Sequence, residues 1–287
     1  MTRIELLNFG TNILNRFKIK ESRLDSELIL CKALSLKKLQ LYMSFKKLVS
    51  LYEFLIFGNY LRRRIKFEPI SYILGYKEFI GYIFKVDKRA LIPRPETEIL
   101  VESCLSLIKS NPKEYKIVDV GTGCGNMAIS LAKNLNNVKI YATDISLETL
   151  ELARENAKLN NVNEKIVFLC GNLLEPLHKK EKFNFIISNP PYIKAEEINN
   201  LPREVRKFEP NIALNGGNDG LKFYKEIIRT ALKLLEDGGY LAFEIGFAQI
   251  DKVKKLFDKS GQFTIINVIK DYSGIDRVII AERKWRK

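Results

Sequence analysis

YKIVDV, residues 115 to 120, is a short apolar run that opens directly into GTGCG and then into the helical text NMAISLAKNL. A glycine-rich turn between a strand and a helix constrains a chain strongly. It lets backbone approach a ligand closely, and the helix beyond it offers free N–H groups to an anion. From here strand and helix patterns alternate. VKIYATD reads as a strand, SLETLELARENAKLN as a helix, and KIVFLC and FNFIIS as strands. DGLKFYKEIIRTALKLLED reads as a long amphipathic helix that stops at Gly238 and Gly239. YLAFEIG is a strand, and FTIINVIK and RVIIAER follow a further helix as two β-rich runs. The alternation predicts an α/β fold with a parallel sheet covered on both faces.

The text before this region differs. Leu24, Leu28, Leu30 and Leu34 repeat at a roughly helical spacing, and residues 51 to 67 read as a helix with a basic end. Residues 75 to 93 alternate aromatic and polar residues around Gly81 and Asp87, a hairpin signature. A helix follows Pro95, starting near Thr97 and Glu98 and running to Ile108. The expected organisation is a helical N-terminal domain over 1–74, a β-hairpin linker over 75–94 and an α/β domain over 95–287. The net charge of +14 is uneven: residues 1 to 94 hold 19 Lys and Arg against 8 Asp and Glu. Either a lysine-rich bias or an acidic partner explains that excess.

Composition removes several chemistries. His178 is the single histidine, and Cys31, Cys104, Cys124 and Cys170 form no C-x-x-C pair. Neither a histidine-based triad nor a zinc site is expected, and no metal site is assigned. No run of 18 apolar residues predicts a membrane helix, and the start does not read as a signal peptide, so the expectation is a cytoplasmic protein.

The spacing in DVGTGCG matches neither the dinucleotide fingerprint nor a Walker loop. Asp144 closes the next strand, where an acid can accept both hydroxyls of a ribose lying across the sheet edge. A nucleoside with an anionic tail and no pyrophosphate fits, and S-adenosylmethionine is such a molecule. DVGTGCG, then Thr143-Asp144, then NPPY at 189 to 192 resemble the class I S-adenosylmethionine methyltransferases. RRRIKFEPISYILGYKEFIGYIFKVDKRALIPRPETEILVE, FEPNIALNGGNDGL and GGYLAFEIG resemble the release-factor glutamine methyltransferases over nearly the whole chain.

That resemblance implies a Rossmann-like domain with a mainly parallel seven-stranded sheet. It implies S-adenosyl-L-methionine as donor and S-adenosyl-L-homocysteine as product. The substrates it implies are class-1 peptide-chain release factors, methylated on the side-chain nitrogen (N5) of the glutamine in their Gly-Gly-Gln motif. Gly121, Thr122, Gly123, Cys124, Gly125, Asp144 and Asn189 would contact the cofactor, and Asn189, Pro190, Pro191 and Tyr192 the target glutamine. Asn172 and Leu173 stand where relatives often carry Asp and an aromatic residue; Asn172 can still hydrogen-bond adenine and Leu173 pack on it. IPRPETE is expected over the pocket, with Arg94 or Glu98 ordering the loop. A monomer without stable nucleic acid or membrane association is the simple expectation.

An amide nitrogen is a poor nucleophile because its lone pair is delocalised. Two acceptors on its NH2, the Asn189 side-chain oxygen and the Pro190 carbonyl, would fix it and favour charge building on it. The prolines stiffen the turn, and the Tyr192 ring is a wall that excludes water. Adenine-N6 and cytosine-N4 targets are also planar NH2 groups, so a nucleic-acid methyltransferase is the alternative. Against it stands the lack of an extra recognition domain. A non-enzymatic cofactor-binding scaffold is a further rival, opposed by the intact motifs.

Overall fold

The computed structural model describes residues 1–108, 114–178 and 180–285. They form two compact units, Met1–Tyr76 with Pro202–Phe208, and Lys77–Leu201 with Glu209–Lys287.

The first unit is helical: α1 (Arg3–Arg16), α2 (Ser22–Ala33), α3 (Lys38–Tyr42), α4 (Leu51–Ile65), α5 (Ile70–Leu74) and, from further along the chain, α9 (Arg203–Phe208). Capping boxes start α1, with Thr2 and Glu5, and α4, with Ser50 and Glu53. Leu6, Leu7, Leu14, Ile29, Leu30, Phe57 and Leu61 form its core. The leucine spacing in α2 is only half the story. Leu24 is 43% exposed, while Asp25 and Ser26 are buried. Arg64 explains this: its Nε donates to Asp25 Oδ2 at 2.6 Å, and its Nη1 lies 3.2 Å from Glu204 Oε2. Arg63 pairs with Glu68 at 2.5 Å. Two of the three arginines in the basic run at 62 to 64 are thus held inside this unit, and Arg62 is the exposed one.

The second unit opens with the hairpin of β1 (Tyr76–Phe79) and β2 (Tyr82–Lys85). From Lys77 onward its residues belong to this unit, and Phe79 and Phe84 are buried in its core. Then come α6 (Pro95–Ile108), β3 (Tyr115–Val120), α7 (Asn126–Asn134), β4 (Val138–Asp144), α8 (Leu147–Leu159), β5 (Ile166–Cys170) and β6 (Phe183–Ser188). After α9 follow α10 (Lys222–Ala231), β7 (Leu235–Glu244), α11 (Ile250–Ser260), β8 (Phe263–Lys270) and β9 (Asp276–Arg283). Seven strands form one sheet in the order β5-β4-β3-β6-β7-β9-β8. Neighbours from β5 to β7 are parallel, and β9 runs antiparallel to both β7 and β8.

Alternate strand residues enter opposite faces. Ile117, Ile140, Phe185 and Ile187 face the layer that holds α6 and α7. Val118, Val120, Ile186 and Phe243 face α10 and α11, whose buried residues include Tyr224, Ile227, Ile228 and Ala231 at helical spacing. Both faces are covered, as a parallel sheet requires.

The helix expected to reach Asp237 ends at Ala231. Leu235 is already a strand residue, opposite Phe183, while the next pair is Phe185 with Tyr240. The extra residues on β7 form a bulge, and the glycine pair serves that bulge instead of a helix stop. Gly238 has φ 77°, and a Cβ on Gly239 would lie 3.0 Å from Glu236 O and 3.2 Å from Phe183 O.

Candidate functional site

The sheet reverses its order between β3 and β6. In open α/β sheets, ligands bind at the carboxyl ends of the strands beside such a reversal. A cavity of about 290 Å³ lies there. It is lined by the ends of β3, β4 and β6 together with residues 89 to 94, Thr97 and the segment around Ile212.

At the end of β3, Gly121 and Gly123 take φ of 72° and 57°. A Cβ on either would meet nothing within 4 Å, so no packing demands glycine there; the backbone conformation does, and the bare Cα leaves the cavity side open. Buried Asp119 ties this loop to α7: its Oδ2 accepts from the Thr122 hydroxyl at 2.7 Å and the Ala128 N–H at 3.1 Å. Its other oxygen, Oδ1, has no hydrogen-bond partner among the described residues. Burial pushes the Asp119 carboxyl up to about 7, with those two donors holding it down and the nearby Asp144 raising it. At the end of β4, half-buried Asp144 accepts from the Gly123 N–H at 3.1 Å and the Ser146 N–H at 3.0 Å. Burial raises its pKa, and those backbone donors offset part of the rise.

At the end of β6, Asn189 Nδ2 donates to Thr97 Oγ1 at 3.1 Å. Thr97 in turn donates to Glu244 Oε2 at 2.5 Å, and the Tyr192 hydroxyl donates to Glu244 Oε1 at 3.3 Å. Glu244 is buried at the end of β7, and burial pushes its carboxyl up to about 6. Donation from Thr97 and Tyr192 and the charge of Arg277 oppose that rise.

The turn after Asn189 is held from outside. The Tyr192 carbonyl accepts from Gln249 Nε2 at 2.9 Å, Ile193 N–H donates to Leu214 O at 3.0 Å, and Gly216 N–H donates to Ile193 O at 2.8 Å. The FEPN segment holds the other wall. Glu209 Oε1 accepts from Arg94 Nη2 at 2.6 Å, and its Oε2 accepts from the Ile92 N–H at 3.1 Å. Glu98 accepts from the Ile80 N–H at 3.0 Å, at the hairpin turn. Arg94 therefore orders the cavity wall, and Glu98 the hairpin.

Of the residues singled out in the sequence, Gly121, Thr122, Gly123, Asp144, Asn172, Leu173, Asn189, Pro190 and Pro191 line this one cavity. Leu173 holds a left-handed φ of 49°, which a leucine adopts at a cost. Cys124, Gly125 and Tyr192 do not line it. Cys124 is buried against Ala90 and Leu152, and burial pushes its thiol well up. Sequence reasoning gave no role to Thr97, Glu209, Glu244 and Gln249. The signal available was an acid ending the apolar strand YLAFEIG, next to the strand that ends in NPPY. Chemically, the cavity sets open backbone and a carboxylate on one side and an amide with a proline turn on the other.

A family model described as Methyltransferase small domain matches residues 96–204, and one described as PrmC N-terminal domain matches residues 5–75. The chain is 38% identical over 285 residues to the release factor glutamine methyltransferase of Fusobacterium nucleatum, covering 98% of this chain and 78% of that protein. It is 40% identical over 273 residues to the release factor glutamine methyltransferase of Thermodesulfovibrio yellowstonii, covering 94% and 95%. Among solved structures, a methyltransferase from Pyrococcus furiosus shares the fold with a TM-score of 0.53 at 18% identity, covering 78% of this chain and 99% of that one.

Proposed function

The chain belongs to the release factor glutamine methyltransferase family, and on that premise we propose that it methylates the glutamine of the Gly-Gly-Gln motif in class-1 peptide-chain release factors. The methyl group goes from S-adenosyl-L-methionine to the side-chain amide nitrogen. The observation that carries this reading is the meeting of Gly121, Gly123, Asp144, Asn189 and Pro190 on one cavity.

The residues present fit the donor. The backbone at Gly121 and Gly123 is open, and no Cβ narrows the space. Each Asp144 oxygen accepts one backbone N–H and keeps a lone pair for a ribose hydroxyl. Asn172 and Leu173 stand at the cavity wall, suited to the edge and face of adenine. When bound, the donor supplies a methyl group activated by its sulfonium centre.

The chain's own residues do the rest. Asn189 Oδ1 accepts one proton of the target NH2, and the Pro190 carbonyl accepts the other, which aims the nitrogen and stabilises positive charge growing on it. The nitrogen gains the methyl, leaving the electron pair of the broken carbon–sulfur bond on the sulfur, and one of the two NH2 protons passes to solvent. Tyr192 does not line the cavity and so is not the wall its motif suggested; it anchors the proline turn from behind, through its hydroxyl bond to Glu244 and the Gln249 bond to its carbonyl. The two curated relatives are named for glutamine, which does not favour adenine or cytosine as targets. No helix among the described residues is long and apolar enough to cross a membrane. We place the protein in the cytoplasm, acting as a monomer.

The test is methyl transfer from labelled S-adenosylmethionine to a purified release factor. A release factor with its Gly-Gly-Gln glutamine changed to alanine is the paired control, and duplex DNA is run alongside. Label on the intact release factor alone is the expected result. Label on DNA, or on the alanine control, overturns the substrate assignment.

A further inference from the structure

Asn189 can serve as an acceptor only if its amide is turned the right way. A carboxamide has two ends of nearly equal shape, one accepting and one donating. Turned wrongly, it would present its own NH2 to the target NH2, and two donors would face each other. Something in the fold must choose between the two orientations.

The hydrogen-bond chain behind Asn189 makes that choice. An ionised carboxylate accepts and cannot donate. Glu244 Oε2 lies 2.5 Å from Thr97 Oγ1, so the one proton of the Thr97 hydroxyl points at Glu244. Thr97 then has only lone pairs left for Asn189, at 3.1 Å. Only the amide nitrogen can satisfy them, which leaves the amide oxygen as the free end. Glu244 is itself kept in place: Tyr192 donates to its Oε1 at 3.3 Å, and the Tyr224 hydroxyl donates to its backbone carbonyl at 3.0 Å. Thr97 and Glu244 are both buried, which limits competition from water for these bonds.

We propose that Glu244 and Thr97 are positioning residues for the transfer: the carboxylate sets the direction of the Thr97 hydroxyl, and the hydroxyl holds the Asn189 amide with its oxygen toward the target nitrogen. This inference rests on the reading of Asn189 as the acceptor of the substrate NH2. Neither residue touches the reacting atoms. Protonation of Glu244 would undo the device, because a protonated carboxyl can donate to Thr97 and free the hydroxyl proton to turn to Asn189 Oδ1. The groups acting on Glu244 are Thr97 and Glu96 from α6, Tyr192 from the turn after β6, Tyr224 from α10 and Arg277 from β9.

The experiment compares Thr97→Val, which keeps the shape and removes the hydroxyl, with Thr97→Ser, which keeps the hydroxyl. At saturating donor and release factor, Thr97→Val is expected to lower kcat about tenfold or more, with KM for the donor changed less than about twofold. Thr97→Ser is expected to recover most of that loss. In the wild type kcat is expected to fall as pH drops through about 6, where Glu244 gains its proton, and Thr97→Val is expected to lack this acid limb. A second readout needs no turnover: the side-chain NH2 signals of Asn189 in a nitrogen–proton correlation spectrum, assigned by their loss in Asn189→Asp. They are expected to shift across the same pH range in the wild type and not in Thr97→Val. Wild-type kcat and an unmoved acid limb in Thr97→Val, with Asn189 signals indifferent to pH, overturn the inference while leaving the function intact. A wild type that transfers no methyl to the release factor overturns the function, and the Asn189 signals still decide the hydrogen-bond chain.

Discussion

At the scale of single residues, Asn189 and Asp119 illustrate two uses of a polar group at the end of a buried strand. Asn189 is half-buried and faces the cavity. Asn189→Ala removes one aimed acceptor and should cut transfer by about 100-fold or more. The circular dichroism spectrum and melting temperature should stay near those of the wild type; a variant with most of its turnover left would end the acceptor role. Asp119 is wholly buried, with one oxygen unpartnered among the described residues. Its folded value near 7 lies above its ordinary 3.8, so folding favours its protonated form. The associated stability is fully present below the ordinary value and is lost as pH rises through about 7. Asp119→Asn cannot ionise and escapes that loss. The variant should melt above the wild type at pH 8, by about 2 °C or more, and the gap should shrink toward pH 5. Equal gaps at both pH values would show that Asp119 does not titrate in this range. Asp144 and the Asn189 amide were legible in the sequence because each follows an apolar run within its own motif. Thr97 was not, because its partner Glu244 lies 147 residues away.

At the scale of elements, the turn after β6 is held by a neighbouring loop as well as by its own prolines. A Cβ on Gly216 would lie 2.7 Å from Tyr192 Cα and 2.8 Å from Pro191 O, both backbone atoms with little freedom to move. Gly216→Ala should therefore displace the proline turn. The expected result is a kcat lowered by about tenfold or more, with donor affinity measured by calorimetry unchanged, since Gly121, Gly123 and Asp144 are untouched. Loss of donor binding in that variant would contradict this division of the cavity. The glycine-rich turn, the strands β3 to β6 and the closing β runs could be read from local periodicity. The start of β7 could not: Leu234 and Leu235 are both buried, and two adjacent apolar residues fit the end of a helix and the start of a strand equally well. Only pairing with Phe183 decides it.

At the scale of the whole molecule, formal charge and available charge differ. The basic run at 62 to 64 counts toward the basic excess of the first 94 residues, yet Arg64 is buried between Asp25 and Glu204 and is structural. Arg64→Ala strands a buried carboxylate and should cost about 3 to 5 kcal/mol in chemical denaturation. Arg62→Glu, exposed, should leave stability within about 0.5 kcal/mol. If the basic excess of the first 94 residues docks an acidic face of the release factor, Arg62→Glu combined with Lys46→Glu and Lys47→Glu should weaken substrate affinity and flatten its dependence on salt. Unchanged affinity and salt dependence would assign the excess to compositional bias. Burial of one arginine in a run of three is invisible locally, because its partner Asp25 lies 39 residues away.

The position of β9 between β7 and β8 has a consequence for synthesis. A ribosome delivers β7 and β8 first, and neither pairs with the other. Until Arg283 has left the exit tunnel, β7 presents an open edge of unpaired backbone groups on the side that β9 will fill. The helices of the first 76 residues can pack during translation, whereas the sheet closes only after translation has passed its last strand. A nascent chain stalled just short of β9 would be a substrate for chaperones and for edge-to-edge association, and release of a few more residues would convert it to the native sheet.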